Sequence, residues 1–368
     1  MLKRKNKKYL KFAVLIVVLV FGVFLLFKLS NIVQVLFQVI FNNKIELIKS
    51  DNNVNILVLG KAGGEHEGPD LTDTIIFSSL DTEKQKVTMV SIPRDLWSYD
   101  LSGKVNTAYS VGEEARDGGG ITLAKSVVSK IVGQKIDYAV VIDFSGFERT
   151  VDLLGGIDVD VDRSFDDYEY PITGKEDDLC GNKEEDIPTL ATASSQLESF
   201  PCRYEHISFE AGPNHMNGET ALKFVRSRHA QGAEGTDFAR SQRQEKVITA
   251  IKDKALSLNI ILNPTKVIGL YETVKDSIDT DIKTSEFDDF IKLAKNLRNA
   301  KIQSGVIDAG NGEEERRGFL MHPQITKEYK FQWVLIPRTG GNDFSEIHGF
   351  VECLIQLDSC PVGKNVID

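Results

Sequence analysis

The sequence predicts an α/β fold in which a mixed central sheet is flanked by helices. Short apolar segments rich in Val, Ile and Leu alternate along residues 54–355 with segments whose apolar residues recur at the helical period. Clusters of Gly, Asp and Asn separate these segments, and we find no internal repeat or long linker between them. We therefore expect one folded domain over residues 54–355.

The predicted elements follow in chain order. Strands are predicted over residues 54–60, 74–80, 86–92, 137–144, 157–162 and 329–337. Helices are predicted over residues 120–133, 147–156, 217–225, 237–256 and 345–355, with further helical pattern in 266–298. Asn217 is the expected N-cap of its helix. Residues 164–206 are acidic and polar, which predicts a surface insertion.

The N-terminus carries the pattern of a membrane anchor. Residues 1–11 form a basic tail, and residues 12–28 are predicted to be a transmembrane helix because their apolar run is close to the length that a bilayer needs. A cleaved signal peptide is the competing interpretation, but it usually has a shorter apolar core and a small-residue cleavage site. The basic flank predicts a cytoplasmic N-terminus in a single-pass protein of the cell membrane. A membrane-proximal segment (29–53), the extracytoplasmic domain and a C-terminal tail (356–368) would follow.

The charge of the expected external part excludes one class of partner. The whole chain has 44 basic and 54 acidic side chains and a net charge of −10. Residues 1–28 contain seven of the basic side chains and no acid, so the remainder has a net charge of −17. Such a surface repels nucleic acid at long range. Partners are therefore expected to be uncharged or to bind at a local basic pocket.

Four cysteines, an even number, suit an oxidising compartment. Cys180 and Cys202 occur in the polar stretch 164–206, and Cys353 and Cys360 lie seven residues apart. We favour local pairing within each couple, but four cysteines allow three pairings and the sequence does not choose among them. Free thiols in a reducing compartment are the alternative.

The stretch KFVRSRHAQGAEGTDFARSQRQ concentrates four arginines in an acidic chain. In its second predicted helix, Arg240, Arg243 and Gln244 continue the apolar stripe toward the N-terminus, where backbone N–H groups favour an anion. Arg226 and Arg228 share a face if the chain is extended there. Guanidinium groups bind phosphate through two hydrogen bonds, so their convergence predicts a phosphate or pyrophosphate site. Surface salt bridges to nearby acids are the alternative.

Two upstream motifs add acidic groups to this expected pocket. SIPRD puts Arg94 and Asp95 at the end of a strand, where α/β folds commonly bind ligands. DLTDT puts Asp70 and Asp73 just before another strand. Carboxylates beside phosphates commonly bind Mg²⁺, which prefers one or two carboxylates together with phosphate oxygens. For an isolated Asp, a role in a turn or loop cap is the ordinary alternative.

Seven segments resemble the LytR-CpsA-Psr family in their order and spacing. They are VNILVLG, TDTIIF, KVTMVSIPRD, KVNTAYS, DYAVVIDFSGFERTVDLLGGIDVDV, MNGETALKFVRSRH and DFARSQRQ. The resemblance covers roughly residues 54–355 and leaves out the insertion at 164–206. Members of this family are membrane-anchored and extracytoplasmic. They transfer glycopolymers from an undecaprenyl pyrophosphate carrier to peptidoglycan and form a phosphodiester bond.

The resemblance implies roles for individual residues. The pyrophosphate would be held by Arg94, Arg226, Arg228 and Arg240 with Gln244 beside them, and we add Arg243 from the stripe. The implied catalytic residues are Arg94, Asp95 and Asp73, of which Asp73 also matches a family Mg²⁺ ligand.

Two departures from the family leave the second metal carboxylate open. The family often has an Asp after the first strand, where this chain has Lys61 and Ala62. It also often has Arg before the TDT motif, where this chain has Leu71. Asp70 is the nearest replacement, so we expect Asp70 and Asp73 to share the metal, with Glu65 as the next candidate.

The implied activity is that of a Mg²⁺-dependent phosphotransferase. Its donor would be a polyprenyl-pyrophosphate-linked glycan, its acceptor a sugar hydroxyl of peptidoglycan, and its proton acceptor Asp95 or Asp73. A hydrolase or pyrophosphatase that releases the lipid-linked glycan is the first alternative. A non-enzymatic protein that binds polyprenyl phosphate is the second.

Overall fold

The computed structural model describes residues 44–63, 70–186, 196–255, 278–311, 316–357 and 360, together with residues 257, 270, 272 and 275. The chain divides into a small unit, formed by residues 1–47 and 283–295, and a large unit formed by the rest. The predicted transmembrane helix (12–28) lies outside the described residues. Within the described ranges, no helix is both long enough and apolar enough to cross a bilayer.

The strands of the described residues all belong to the large unit. They are β1 (Asn53–Lys61), β2 (Thr72–Asp81), β3 (Lys86–Ser91), β4 (Trp97–Ser98), β5 (Gly103–Lys104), β6 (Tyr138–Asp143), β7 (Ile157–Val161), β8 (Phe165–Pro171), β9 (Tyr204–Phe209), β10 (Gly212–Met216), β11 (Ile278–Thr280), β12 (Lys301–Val306), β13 (Gly310–Asn311), β14 (Arg316–Arg317), β15 (Leu320–Met321) and β16 (Ile336–Pro337).

The central sheet is mixed, as the sequence predicts. Its strand order is β11-β6-β1-β2-β3-β12. Strand β1 pairs with β2 in antiparallel and with β6 in parallel orientation, and β3 pairs in parallel with β12. The register sets Gly60 opposite Thr74 and Lys61 opposite Asp143. The ends of β1 and β6 and the start of β2 therefore meet at one edge of the sheet.

The helices confirm most of the predicted bounds. They are α1 (Ala108–Ala115), α2 (Gly119–Val132), α3 (Phe144–Leu153), α4 (Gln196–Ser199), α5 (Gly218–Arg226), α6 (Asp237–Ala255), α7 (Phe287–Asn296) and α8 (Ser345–Gln356). Nearly all of α7 belongs to the small unit, where Lys292 forms ion pairs with Asp288 and Asp289 at 2.8 and 2.9 Å.

Two buried clusters join the helices to the strands of the large unit. In the first, Val128 of α2 and Val351 of α8 pack with Leu57 of β1, and none of the three is more than 1% exposed. In the second, Phe224 of α5 packs with Val151 of α3 and the β8–β9 hairpin. The predicted flanking of the sheet by helices is thus confirmed, because the apolar stripes of the helices cover apolar strand residues.

Local signals set the ends of two helices beside the sheet edge. The Asp143 carboxylate caps α3 by accepting a hydrogen bond from the backbone N–H of Gly146 at 2.6 Å. Gly155 and Gly156 follow α3 with φ of 79° and 81°, a conformation that glycine adopts without strain. Asn217 caps α5, as predicted, by accepting from the N–H of Thr220 at 2.9 Å.

Three of the sequence predictions are wrong in part. Residues 164–206 are not simply a surface insertion, because their ends form the strands β8 and β9, which pair in antiparallel orientation. Only Ile336 and Pro337 of the predicted strand at 329–337 are in strand β16, since a turn with left-handed Lys330 and Phe331 interrupts it. The pattern in 266–298 contains strand β11 besides helix α7.

Both local disulfide pairings are present. Cys180 is bonded to Cys202 and Cys353 to Cys360, with Cα atoms 5.5 and 5.7 Å apart. Asp178 lies close to the first pair, but sulfurs that are bonded to each other are not thiolate metal ligands. The first disulfide joins the two sides of the loop between β8 and β9.

Candidate functional site

An open pocket of about 320 Å³ lies at the edge of the central sheet where β1, β3 and β6 end. Asp73 and Thr74 enter it from the start of β2, and Arg94 enters from the loop after β3. Phe144, the first residue of α3, follows β6 into the same place. Ligands of α/β folds commonly bind outside the carboxyl ends of the strands.

Four arginines converge on this pocket in an otherwise acidic chain. They are Arg94, Arg226, Arg228 and Arg240. Four chain segments supply them, because Arg94 follows β3, α5 ends at Arg226, the loop after α5 contains Arg228, and α6 contains Arg240. This arrangement is consistent with two sequence patterns. They are the helical stripe that contains Arg240 and the two-residue spacing of Arg226 and Arg228.

Arg94 is held between two carboxylates. Its Nη1 contacts the Asp73 carboxylate at 2.6 Å, and its Nε contacts the Asp95 carboxylate at 3.4 Å. Burial disfavours the guanidinium charge, but these two carboxylates outweigh it, so the pKa of Arg94 is raised. The group is therefore a permanent positive charge at the end of β3.

Arg226 is fixed by aromatic side chains. Its guanidinium carbon lies 4.1 Å from the centre of the Phe144 ring, and its Nη1 donates to the Tyr170 hydroxyl at 3.3 Å. Such a guanidinium is oriented by the rings and still has further N–H donors for a ligand. Burial is the main cause of the raised pKa of Tyr170, so the phenol keeps its proton.

Gln244 and Arg243 are adjacent on α6 but have different surroundings. Gln244 lines the pocket and donates to the Thr74 hydroxyl at 3.4 Å. Arg243 lies outside the pocket lining and is only 3% exposed. The prediction that Arg243 lines the pocket with the other arginines is therefore wrong.

The contacts of Arg243 explain its position. Its guanidinium donates to the carbonyls of Phe224, Ser227 and Glu234 at 3.0, 2.8 and 2.8 Å, and to the Glu234 carboxylate at 3.0 Å. Burial lowers the pKa of Arg243, although the Glu234 carboxylate opposes this effect. Arg243 thus ties the end of α5 and the loop after it to α6, and this loop contains Arg228.

Asp167 is a buried acid that supports the same loop. It is 0% exposed, and its Oδ2 accepts from the Ser227 hydroxyl at 2.7 Å. The same oxygen accepts from the backbone N–H groups of Arg228 and His229, each at 3.2 Å. The carboxylate therefore fixes the backbone that presents two pocket side chains.

The other sequence-predicted acids are paired with lysines. Lys61 Nζ contacts the Asp70 carboxylate at 2.6 Å, and Asp70 lies outside the pocket lining. Lys104 Nζ contacts the Asp95 carboxylate at 2.7 Å, and Asp95 is also outside the lining. Of the predicted metal pair, the pocket therefore includes only Asp73.

The β8–β9 hairpin supplies pocket residues that the sequence analysis missed. They are Asp167, Glu169, Tyr170, Pro171 and Tyr204. His229 and Val225 were missed as well, although they occur in the stretch of four arginines. The aromatic residues Phe165, Tyr168 and Tyr170 favour a strand and were the available signal, but the acidic composition of the hairpin hid it.

Comparison with known proteins agrees with the fold and the motifs. The LytR_cpsA_psr family matches residues 30–326. The polyisoprenyl-teichoic acid–peptidoglycan teichoic acid transferase TagV of Bacillus subtilis is 29% identical over 221 residues, which are 58% of this chain and 46% of TagV. The match thus spans about half the length of that relative.

Solved structures show the same fold at low sequence identity. The crystal structure of B. subtilis TagV has a TM-score of 0.53 and 23% identity, and the alignment covers 84% of this chain and 100% of that one. The structure of TagT bound to LIIa-WTA has a TM-score of 0.52 and 18% identity, with 86% and 96% covered.

Proposed function

The chain belongs to the LytR-CpsA-Psr family, and we propose that it transfers a glycopolymer from a polyprenyl pyrophosphate carrier to a sugar hydroxyl of peptidoglycan. The observation that carries this proposal is the convergence of Arg94, Arg226, Arg228 and Arg240 on one pocket of an acidic chain. A polyanionic substrate group accounts for that concentration of guanidiniums. The name of the relative TagV, a teichoic acid transferase, supports the same reaction class.

The proposed reaction is a phosphoryl transfer. The acceptor oxygen forms a bond to the phosphorus that carries the glycan, and the bond from that phosphorus to the bridging oxygen breaks. Polyprenyl phosphate leaves, and the acceptor hydroxyl loses its proton. The arginines would stabilise negative charge on the phosphate oxygens as it develops, which is the main contribution that fixed cationic groups make to such reactions.

Asp73 is a suitable ligand for Mg²⁺ in this pocket. Its Oδ1 contacts Arg94, and among the described residues no donor contacts its Oδ2. Mg²⁺ needs only one or two carboxylates when phosphate oxygens complete its coordination. When bound, the ion would neutralise phosphate charge. Asp70 is paired with Lys61, so we assign the principal carboxylate to Asp73 alone.

A transfer assay tests the function itself. Purified protein is incubated with polyprenyl-pyrophosphate-linked glycan and peptidoglycan, and the expected products are a covalent glycan–peptidoglycan conjugate and polyprenyl phosphate. Release of the glycan into solution at the same rate with and without peptidoglycan would identify a hydrolase instead. Tight binding of the lipid without any product would identify a binding protein.

Metal dependence gives a separate prediction. We expect EDTA to reduce transfer by at least about tenfold, and Asp73→Ala to remove the effect of added Mg²⁺ on both activity and donor binding. Asp70→Ala should change both far less, because Lys61 holds this carboxylate at 2.6 Å. Full transfer in excess EDTA that is abolished by Lys61→Ala would show that the lysine ammonium takes the place of the metal.

The proposed location is the outer face of the cell membrane. The basic tail at 1–11 and the uncharged segment from Phe12 to Phe27 support this orientation. We expect protease added to intact cells, with any outer barrier removed, to digest residues 54–368 and leave the tail intact, as detected with tags at the two ends. Protection of residues 54–368 would contradict both the topology and the function.

A further inference from the structure

The transfer reaction requires a group that accepts the proton of the attacking hydroxyl. The two acids that the sequence suggested for this role are already paired with cations. Asp73 contacts Arg94 at 2.6 Å, and Asp95 contacts Lys104 at 2.7 Å and Arg94 at 3.4 Å. Both carboxylates are therefore already engaged by cationic side chains.

The other pocket acids differ in their access to substrate. Asp167 is 0% exposed and accepts four hydrogen bonds, two of them from the backbone N–H groups of Arg228 and His229. It supports the loop and is closed to substrate. Glu169, two residues further along β8, has a side chain that is 40% exposed.

Glu169 faces the single histidine of the pocket lining. Its Oε2 lies 3.8 Å from Nδ1 of His229. The backbone of the 228–231 segment is fixed against β8, because Ala230 forms a bridge with Asp167 and Gln231 donates to the Asp166 carbonyl at 2.9 Å. Closing this distance to about 2.8 Å would form a hydrogen bond between the carboxylate and Nδ1, and Nε2 of the histidine would then be left for another partner.

We propose that His229 is the general base of the transfer reaction and that Glu169 orients it. This assignment rests on the proposed function. The acceptor O–H transfers its proton to Nε2 of His229 as its oxygen bonds to phosphorus, and the electron pair of the broken P–O bond leaves on polyprenyl phosphate. The Glu169 carboxylate stabilises the resulting imidazolium, which returns its proton to solvent after product release.

Other charged groups surround this pair. The lining adds four cations and two carboxylates, which are Arg94, Arg226, Arg228, Arg240, Asp73 and Asp167, together with the phenols of Tyr170 and Tyr204. Glu148 of α3 adds a further carboxylate that interacts with Arg226, and burial is the main cause of its raised pKa.

The test compares the pH dependence of transfer in variants of the full chain, with polyprenyl-pyrophosphate-linked glycan and peptidoglycan as substrates. We expect His229→Gln to lower turnover by about 100-fold or more near neutral pH and to remove the limb of the pH–rate profile that reports the base. Donor binding, measured without peptidoglycan, should stay within about threefold of wild type. Added imidazole should restore part of the activity of His229→Gly, a rescue that a structural role would not give.

Glu169→Gln tests the orienting role. Loss of the carboxylate removes the group that orients the imidazole, so turnover should fall, but by less than in His229→Gln, and donor binding should stay unchanged. His206→Gln is the matched control, because His206 is also exposed and pairs with a carboxylate, that of Asp166 at 2.7 Å, but lies outside the pocket lining. Its turnover should stay within about twofold of wild type.

The outcomes separate this assignment from the function on which it rests. Conjugate formation by wild-type protein and by His229→Gln at similar rates across the pH range would overturn the assignment alone. Equal losses of donor binding and turnover in His229→Gln would also overturn it, since His229 would then be a binding residue. If wild-type protein forms no conjugate, the proposed function fails and this assignment fails with it.

Discussion

Replacing Arg226 with alanine is expected to weaken binding of a polyprenyl-pyrophosphate lipid by at least about thirtyfold. The guanidinium lies on the Phe144 ring at 4.1 Å, so it is oriented toward the pocket before the ligand arrives. Loss of one partner from a buried, charge-assisted pair costs roughly 2–5 kcal/mol, whereas an exposed pair contributes only ~0–1 kcal/mol. Isothermal titration of the purified domain with a short-chain lipid pyrophosphate gives the affinity directly.

Arg203→Ala provides the matched control for this measurement. Arg203 also stacks on an aromatic ring, with its guanidinium carbon 3.9 Å from the centre of Phe200, but it lies outside the pocket lining. The control removes the same charge and the same kind of ring contact, so its lipid affinity should stay within about threefold of wild type. A folded Arg226→Ala protein that matches this control would show that the pyrophosphate binds elsewhere.

The parts of the site that were predictable are those that local chemistry determines. Asn217 marks the start of α5, and the apolar stripe of α6 extends to Arg240 and Gln244, so two arginine-bearing helices followed from short-range rules. The end of β3 placed Arg94 at the strand edge where ligands bind in such folds. These signals depend only on neighbours within a few residues.

The missed parts depend on contacts between distant segments. Tyr170 and Tyr204 line the pocket because β8 and β9 pair across a long acidic loop, and composition contains no information about that pairing. Strand β12 pairs with β3 across more than two hundred residues, so its partner was equally hidden. The same reasoning explains Asp167, whose acidic neighbours suggested a surface position although its side chain is fully buried.

Arg243 shows that helical periodicity does not distinguish a pocket residue from a residue of the protein interior. It adjoins Gln244 on the inward side of α6, and helical periodicity alone assigns both residues to the buried face. Whether such a residue reaches the pocket or the protein interior depends on what packs there. The carbonyls of Phe224 in α5 and of Ser227 after it accept from Arg243, and Ser227 is held by Asp167 of strand β8.

The stability of the domain should depend strongly on Arg243. We expect Arg243→Leu to lower the free energy of unfolding by about 3–5 kcal/mol, because it leaves a nearly buried Glu234 carboxylate and three carbonyl groups without their donor. Urea denaturation of the wild-type protein and of Arg243→Leu measures the difference in their free energies of unfolding. Arg203→Leu is the control, since Arg203 donates to the Asp178 carbonyl at 2.7 Å in an exposed position, and its loss should cost no more than about 1 kcal/mol. A loss below about 1 kcal/mol for Arg243→Leu would show that other contacts hold the 227–234 loop, and the account of how Arg228 is positioned would then be wrong.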